Sequence, residues 1–107
     1  MANLKSVDSN NFETEVLQAP VPVLVDFWAS WCPPCRALAP TLEELAVDEP
    51  TRLRIVKVSV EEERELPEKF GVRNIPTLIL FKGGEAVARM VGNRTKKALL
   101  REIEAYL

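Results

Sequence analysis

The stretch "FWASWCPPCRALAP", residues 27–40, joins two different patterns. Leading into it is "VPVLVDFWA" (21–29), a continuous apolar run of the kind found in a strand covered on both faces. Leading out is "PPCRALAPTLEELAVDE" (33–49), which reads as a helix with Leu38, Leu42 and Leu45 on one face. Pro40 lies inside that helix, where its missing N–H predicts a kink. In α/β sheets functional groups gather where the carboxyl end of a strand hands over to a helix. The only two cysteines of the chain, Cys32 and Cys35, stand at this junction.

Working outward, the same alternation continues. "LKSV" (4–7) fits a short edge strand, and "NNFETEVLQ" (10–18) a helix capped by Asn10, with Phe12, Val16 and Leu17 at helical spacing. "LRIVKVSV" (53–60) is a β-branched strand, and "ERELPEKF" (63–70) a short helix stopped at Gly71. "PTLILFK" (76–82) and "EAVARMVG" (85–92) flank two glycines, the turn chemistry of a β-hairpin. "TKKALLREIEAYL" (95–107) closes as an amphipathic helix with Leu99, Leu100, Ile103 and Leu107 inward. The order is β-α-β-α-β-α-β-β-α. It predicts an α/β fold whose central mixed, mostly parallel sheet carries helices on both faces, with the late hairpin adding an antiparallel edge.

A chain of 107 residues fits one domain, expected here over residues 1–107. Fourteen basic against sixteen acidic residues leave a net charge of −2 with no basic block, so no nucleic acid or anionic membrane partner is expected. The acidic run "EEERE" (61–65) reads as the solvated start of a helix. The opening "MANLKSVDSN" has no apolar core of a secretory leader, and the cytoplasm is the expected address. That compartment keeps ordinary thiols reduced, so two cysteines there point to a working disulfide and not a permanent one. Histidine is absent, which excludes Ser-His-Asp and Cys-His catalysis and zinc sites that need imidazole.

Placing Cys32 at the N-cap makes Pro33 and Pro34 the first two helical positions and Cys35 the third. The two side chains then lie within disulfide range. Pro34 has no N–H, so the Cys35 amide is the main local donor to Cys32. That donor and the positive end of the helix dipole favour a thiolate at Cys32, while Cys35, one turn in, keeps its proton. Cys32 would attack a partner's disulfide and Cys35 would resolve the mixed disulfide. A zinc knuckle needs two further Cys or His ligands, which the chain lacks, so no metal and no cofactor are expected. Two inert buried cysteines are the remaining bland reading, against which Trp31 places a large aromatic beside the helix start. Asp26 interrupts an apolar strand; it is either an edge-strand carboxylate facing water or, as the apolar neighbours on both sides favour, a buried one whose pKa rises toward neutrality. From beneath the cysteines it could take the Cys35 proton through a bridging water. Lys57, the matching oddity in "IVKVSV", either snorkels to solvent or faces inward.

"VLVDFWASWCPPC", "LAPTLEELA", "FGVRNIPTLILFKGG" and "VG" (91–92) resemble the thioredoxin family in sequence, order and spacing over nearly the whole chain. The resemblance implies a thioredoxin-like fold and a general protein-disulfide reductase. It assigns Asp26 the proton-transfer role and brings Lys57 toward that carboxylate. It makes the Ile75–Pro76 bond cis and facing the cysteines. Trp31, Ile75, Pro76, Val91 and Gly92 then rim a shallow apolar groove for extended segments of many proteins, and Trp28 packs under the active-site turn. A thioredoxin reductase, fed by NADPH or ferredoxin, is the implied electron donor, diverse disulfide-containing proteins the substrates, and a monomer the working form.

Two departures stand out. Family members usually carry Gly-Pro between the cysteines, where this chain has Pro33-Pro34. The rigid pair limits relaxation of the reduced site, which favours a more reducing couple, whereas a strained disulfide ring acts oppositely. Pro76 has no N–H to compete for the sulfur. Asn74 stands where glycine is common. Alternatives to the reductase are a disulfide oxidase or isomerase, or a non-catalytic binding module using the groove near Pro76.

Overall fold

A computed structural model describes residues 4–107. The strands are β1 (Lys5–Ser6), β2 (Val23–Trp28), β3 (Arg54–Ser59), β4 (Thr77–Lys82) and β5 (Glu85–Val91). The helices are α1 (Pro33–Asp48), α2 (Glu65–Lys69) and α3 (Lys96–Ile103), with one π-type turn at Glu13–Leu17 before β2 and a 3-10 turn at Glu104–Tyr106. They build one five-stranded sheet in the order β1-β3-β2-β4-β5. β1, β3 and β2 run parallel, and β4 is antiparallel to both of its neighbours. β4 therefore lies inside the sheet and β5 forms the edge. Composition explains the placement: residues 77–81 are buried on both faces, whereas β5 is largely exposed or half-buried.

Alternation along β2 divides the core in two. Leu24 joins Leu38, Leu42 and Leu45 of α1 and Leu99 and Ile103 of α3 on one face. Val23, Val25 and Phe27 join Phe12, Val16 and Leu66 on the other. Asp26 shares the parity of Leu24 and so belongs to the face that α1 covers. Because α1 begins at the cysteines, this parity brings strand carboxylate and helix start to the same side of the sheet.

Three helix boundaries differ from the sequence reading. The 10–18 segment turns only from Glu13, and Asn10 does not cap it. The Asn11 Oδ1 accepts the Asp8 N–H at 2.8 Å and the Asp8 Oδ1 accepts the Asn10 N–H at 2.9 Å, closing a polar turn first. α2 starts at Glu65, and the acidic run before it is not wholly solvated. Glu63 is buried, its Oε1 accepting the Ser9 N–H at 3.1 Å and its Oε2 the Leu66 N–H at 2.9 Å. It starts α2 and ties that start to the loop after β1. α3 ends at Ile103, with Leu99 and Ile103 fully buried and Leu100 and Leu107 packed at the margin. α1 runs unbroken through Pro40 to Asp48.

The N-cap of α3 yields a stability prediction. Thr95 Oγ1 accepts the Ala98 N–H at 3.1 Å. Thr95→Ala is expected to lower unfolding stability by about 1 kcal/mol in a urea titration, with an unchanged denaturant slope.

Candidate active site

Cys32 leaves β2 in extended geometry (φ −91°, ψ 109°) and caps α1, with Pro33 and Pro34 as the first two helical residues. Prolines suit those positions, since their missing N–H groups have no intrahelical partner to lose. The Cys35 N–H donates to Cys32 Sγ at 3.2 Å. The two cysteines are joined as a disulfide with Cα atoms 5.2 Å apart. Both are buried, in a small cluster with Ala29 against Trp28, Val60 and Ile75.

The opposite wall comes from the start of β4. The Ile75–Pro76 bond is cis, and the Ile75 carbonyl oxygen lies 3.8 Å from Cys32 Sγ. The Pro76 carbonyl accepts the Gly92 N–H at 2.8 Å, and Thr77 pairs with Val91. Gly92 adopts φ +94° with open space where a Cβ would stand, so glycine is needed there for the backbone and not for room. Trp31 is 64% exposed and Val91 49%, with Ile75 half-buried. Of these, Ile75 packs on the cysteine cluster and Trp31 directly precedes Cys32 in the chain, and Pro76 itself is buried.

Asp26 is fully buried, and neither carboxylate oxygen has a hydrogen-bond partner among the described residues. Burial pushes its pKa up to about 7, with the Lys57 ammonium offsetting part of the rise. Lys57 pairs with Asp26 across the parallel β2–β3 register and is half-buried. Its Nζ lies 5.3 Å from the centre of the Trp28 ring. Lys57 thus lies along the Asp26–Trp28 side of the strand pair and stays half-buried. The Trp28 Nε1 is buried without a partner among the described residues.

The sequence reading omitted a second ring of residues. Val60 packs on the cysteine cluster and its N–H bonds the Trp28 carbonyl at 2.9 Å. Its signal was its place at the end of the β3 run. Ser30, Glu61 and Arg36 form a polar network on the β2–α1 connection. No local pattern announces it, because it joins residues from separate elements. Among the described residues no helix is long and apolar enough to cross a membrane.

The thioredoxin family model matches residues 3–105. A thioredoxin of Mycobacterium tuberculosis is 50% identical over 102 residues, covering 95% of this chain and 87% of that protein. A thioredoxin of Rickettsia bellii is 45% identical, over 92% of this chain and 93% of its own. Thioredoxin 1 of a Nostoc species is 42% identical over the full length of both. Similarity that spans both walls of the cysteine site carries the chemistry with the fold: this chain is a thiol–disulfide oxidoreductase and belongs to the thioredoxin family.

Proposed function

We propose that the chain, acting as one domain over residues 1–107, is a general protein-disulfide reductase in which Cys32 is the nucleophile and Cys35 the resolving thiol. The observation that carries this reading is the asymmetry of the pair. Cys32 caps a 16-residue helix and its sulfur accepts the Cys35 N–H, while Cys35 lies inside the first turn. Helix dipole and amide both stabilise negative charge on Cys32, and the amide is that of Cys35 itself, directed at Cys32 Sγ.

In the first step the Cys32 thiolate attacks one sulfur of a target disulfide. The target S–S bond breaks, its other sulfur leaves as a thiolate that takes a proton, and a mixed disulfide forms. Cys35 then loses its proton and attacks Cys32 Sγ, releasing the second target thiol. Two electrons have passed to the target, and Cys32 and Cys35 are joined as they are in this structure. Asp26, with its raised pKa on the α1 face, is suited to accept the Cys35 proton, and Lys57 to bias that exchange. Pro33 and Pro34 restrict the pair and leave the Cys35 amide as its local donor. Trp31, Ile75, Val91 and Gly92 form the face on which an extended target segment lies, with the buried Pro76 beneath it and main-chain groups at Ile75 available for pairing.

Completing the cycle requires two electrons from a thioredoxin reductase, and the substrates are disulfide-containing proteins of diverse sequence. We assign the protein to the cytoplasm as a monomer. With a net charge of −2 and no basic block, nothing in the sequence favours nucleic acid or membrane.

Trapping tests the order of attack. Cys35→Ser, mixed with an oxidised target protein, is expected to accumulate a stable mixed disulfide through Cys32, because the resolving thiol is gone. Peptide mass spectrometry locates the link. Absence of any adduct at Cys32 would count against the assigned roles.

A further inference from the structure

We propose that Glu61 is a positioning residue that holds the Ser30–Trp31 segment, the lip immediately before Cys32, in the form that receives a protein substrate. The proposal rests on the reductase reading and adds to it a determinant of selectivity for proteins over small disulfides.

Glu61 stands in the turn between β3 and α2. Its Oε1 accepts the Ser30 N–H at 2.7 Å and the Ser30 Oγ–H at 2.9 Å. From the first turn of α1, the Arg36 Nη1 donates to the Ser30 carbonyl at 3.0 Å. Every polar group of Ser30 is therefore engaged by a charged side chain from outside the 29–31 connection. The residues on either side are held by backbone bonds, Val60 N–H to Trp28 O at 2.9 Å and Cys32 N–H to Ala29 O at 3.3 Å. Between those two anchors Ser30 has only the clamp.

Ser30, Glu61 and Arg36 are all exposed, so these bonds contribute little to global stability. Their effect is local. Trp31, the next residue, presents 64% of its surface to solvent and belongs to the face proposed above for the target segment. Without the carboxylate, the Ser30–Trp31 backbone gains conformers that a protein substrate must freeze on docking. A small disulfide that needs only the Cys32 sulfur does not depend on that ordering. The loss then falls on KM for the protein and leaves kcat in place, the signature of binding energy shared by ground and transition states.

The experiment compares wild type, Glu61→Ala and Glu61→Gln, the last retaining an acceptor oxygen at the same reach. Turnover is measured on insulin and on a small aromatic disulfide, with amide hydrogen exchange at Ser30 followed in parallel. In Glu61→Ala the ratio of kcat/KM for insulin to that for the small disulfide is expected to fall about five-fold, through KM, with faster Ser30 exchange. Glu61→Gln should recover most of both. An unchanged ratio or unchanged Ser30 exchange in Glu61→Ala overturns the proposal. So does an equal loss on both substrates accompanied by a lower unfolding midpoint, which makes Glu61 a residue of the fold. A wild type that reduces neither substrate defeats the reductase reading instead, and the exchange at Ser30 still decides the clamp.

Discussion

Cys32→Ser is expected to abolish insulin reduction, with turnover falling roughly a thousand-fold or more against wild type under dithiothreitol. A serine hydroxyl at the same N-cap still accepts the Cys35 N–H that now meets Cys32 Sγ at 3.2 Å. It remains protonated at neutral pH and is a poor nucleophile toward sulfur. The cap is thus preserved while the chemistry is removed. Stability should be compared with the reduced wild type, since the variant cannot form the disulfide. Against that reference the N-cap bond is retained, so only a small difference in melting is expected. Insulin turnover by Cys32→Ser near the wild-type rate would remove Cys32 from the mechanism. A collapse in melting would show that the variant had lost its fold and not merely its sulfur.

Asp26→Ala is expected to stabilise the protein at alkaline pH while slowing it at neutral pH. The folded-state pKa of Asp26 is about 7, against an ordinary value of 3.8. Below pH 3.8 the carboxyl is neutral in both states and the shift has no effect on stability. Between the two values the folded protein holds a proton that the unfolded chain has released, so stability falls as pH rises. Above pH 7 the full penalty applies, on the order of 4 kcal/mol for about three pH units. Removing the carboxylate relieves that penalty, less about 1 kcal/mol for the space left behind. Denaturant titrations should therefore show Asp26→Ala more stable by about 3 kcal/mol at pH 8 and no more stable than wild type at pH 4. Single-turnover kinetics should show resolution by Cys35 slowed at least about ten-fold at pH 7 and recovering above pH 9, where that thiol ionises unaided. A variant equally fast across this range removes Asp26 from proton transfer. One destabilised at every pH makes the carboxylate a structural group.

Much of the site was visible because its pieces are local. A strand hands over to a helix at Cys32, Pro33 and Pro34 begin that helix, and Cys35 follows one turn later; the N-cap geometry depends on no residue farther than three positions away. The apolar run around Asp26 announced a buried carboxylate, and the carboxylate is buried. Where local patterns competed, the reading slipped. Asn10 had the look of a cap, but Asp8 and Asn11 closed a turn before the helix could begin. Glu63 belonged to a run of charges that resembles a solvated face, yet its two oxygens serve amides on different elements.

The residues alone determined the alternation of strands and helices, the capped cysteine pair and the polar intruders in the apolar strands. Those features arise from interactions spanning a turn of helix or a pleat of strand. Only the tertiary structure decided that Ile75 stands against Cys32 from 43 residues away, that Glu61 holds Ser30 across 31 and that Glu63 reaches Ser9 across 54. The strand order β1-β3-β2-β4-β5 sets these meetings, bringing the carboxyl ends of β2 and β3 and the start of β4 to one end of the sheet. A carboxylate's partner depends on which strand lies beside it, and hydrogen bonds form only at contact distance. That proximity is created by burying the two apolar faces of the sheet, and no spacing along the chain encodes it locally.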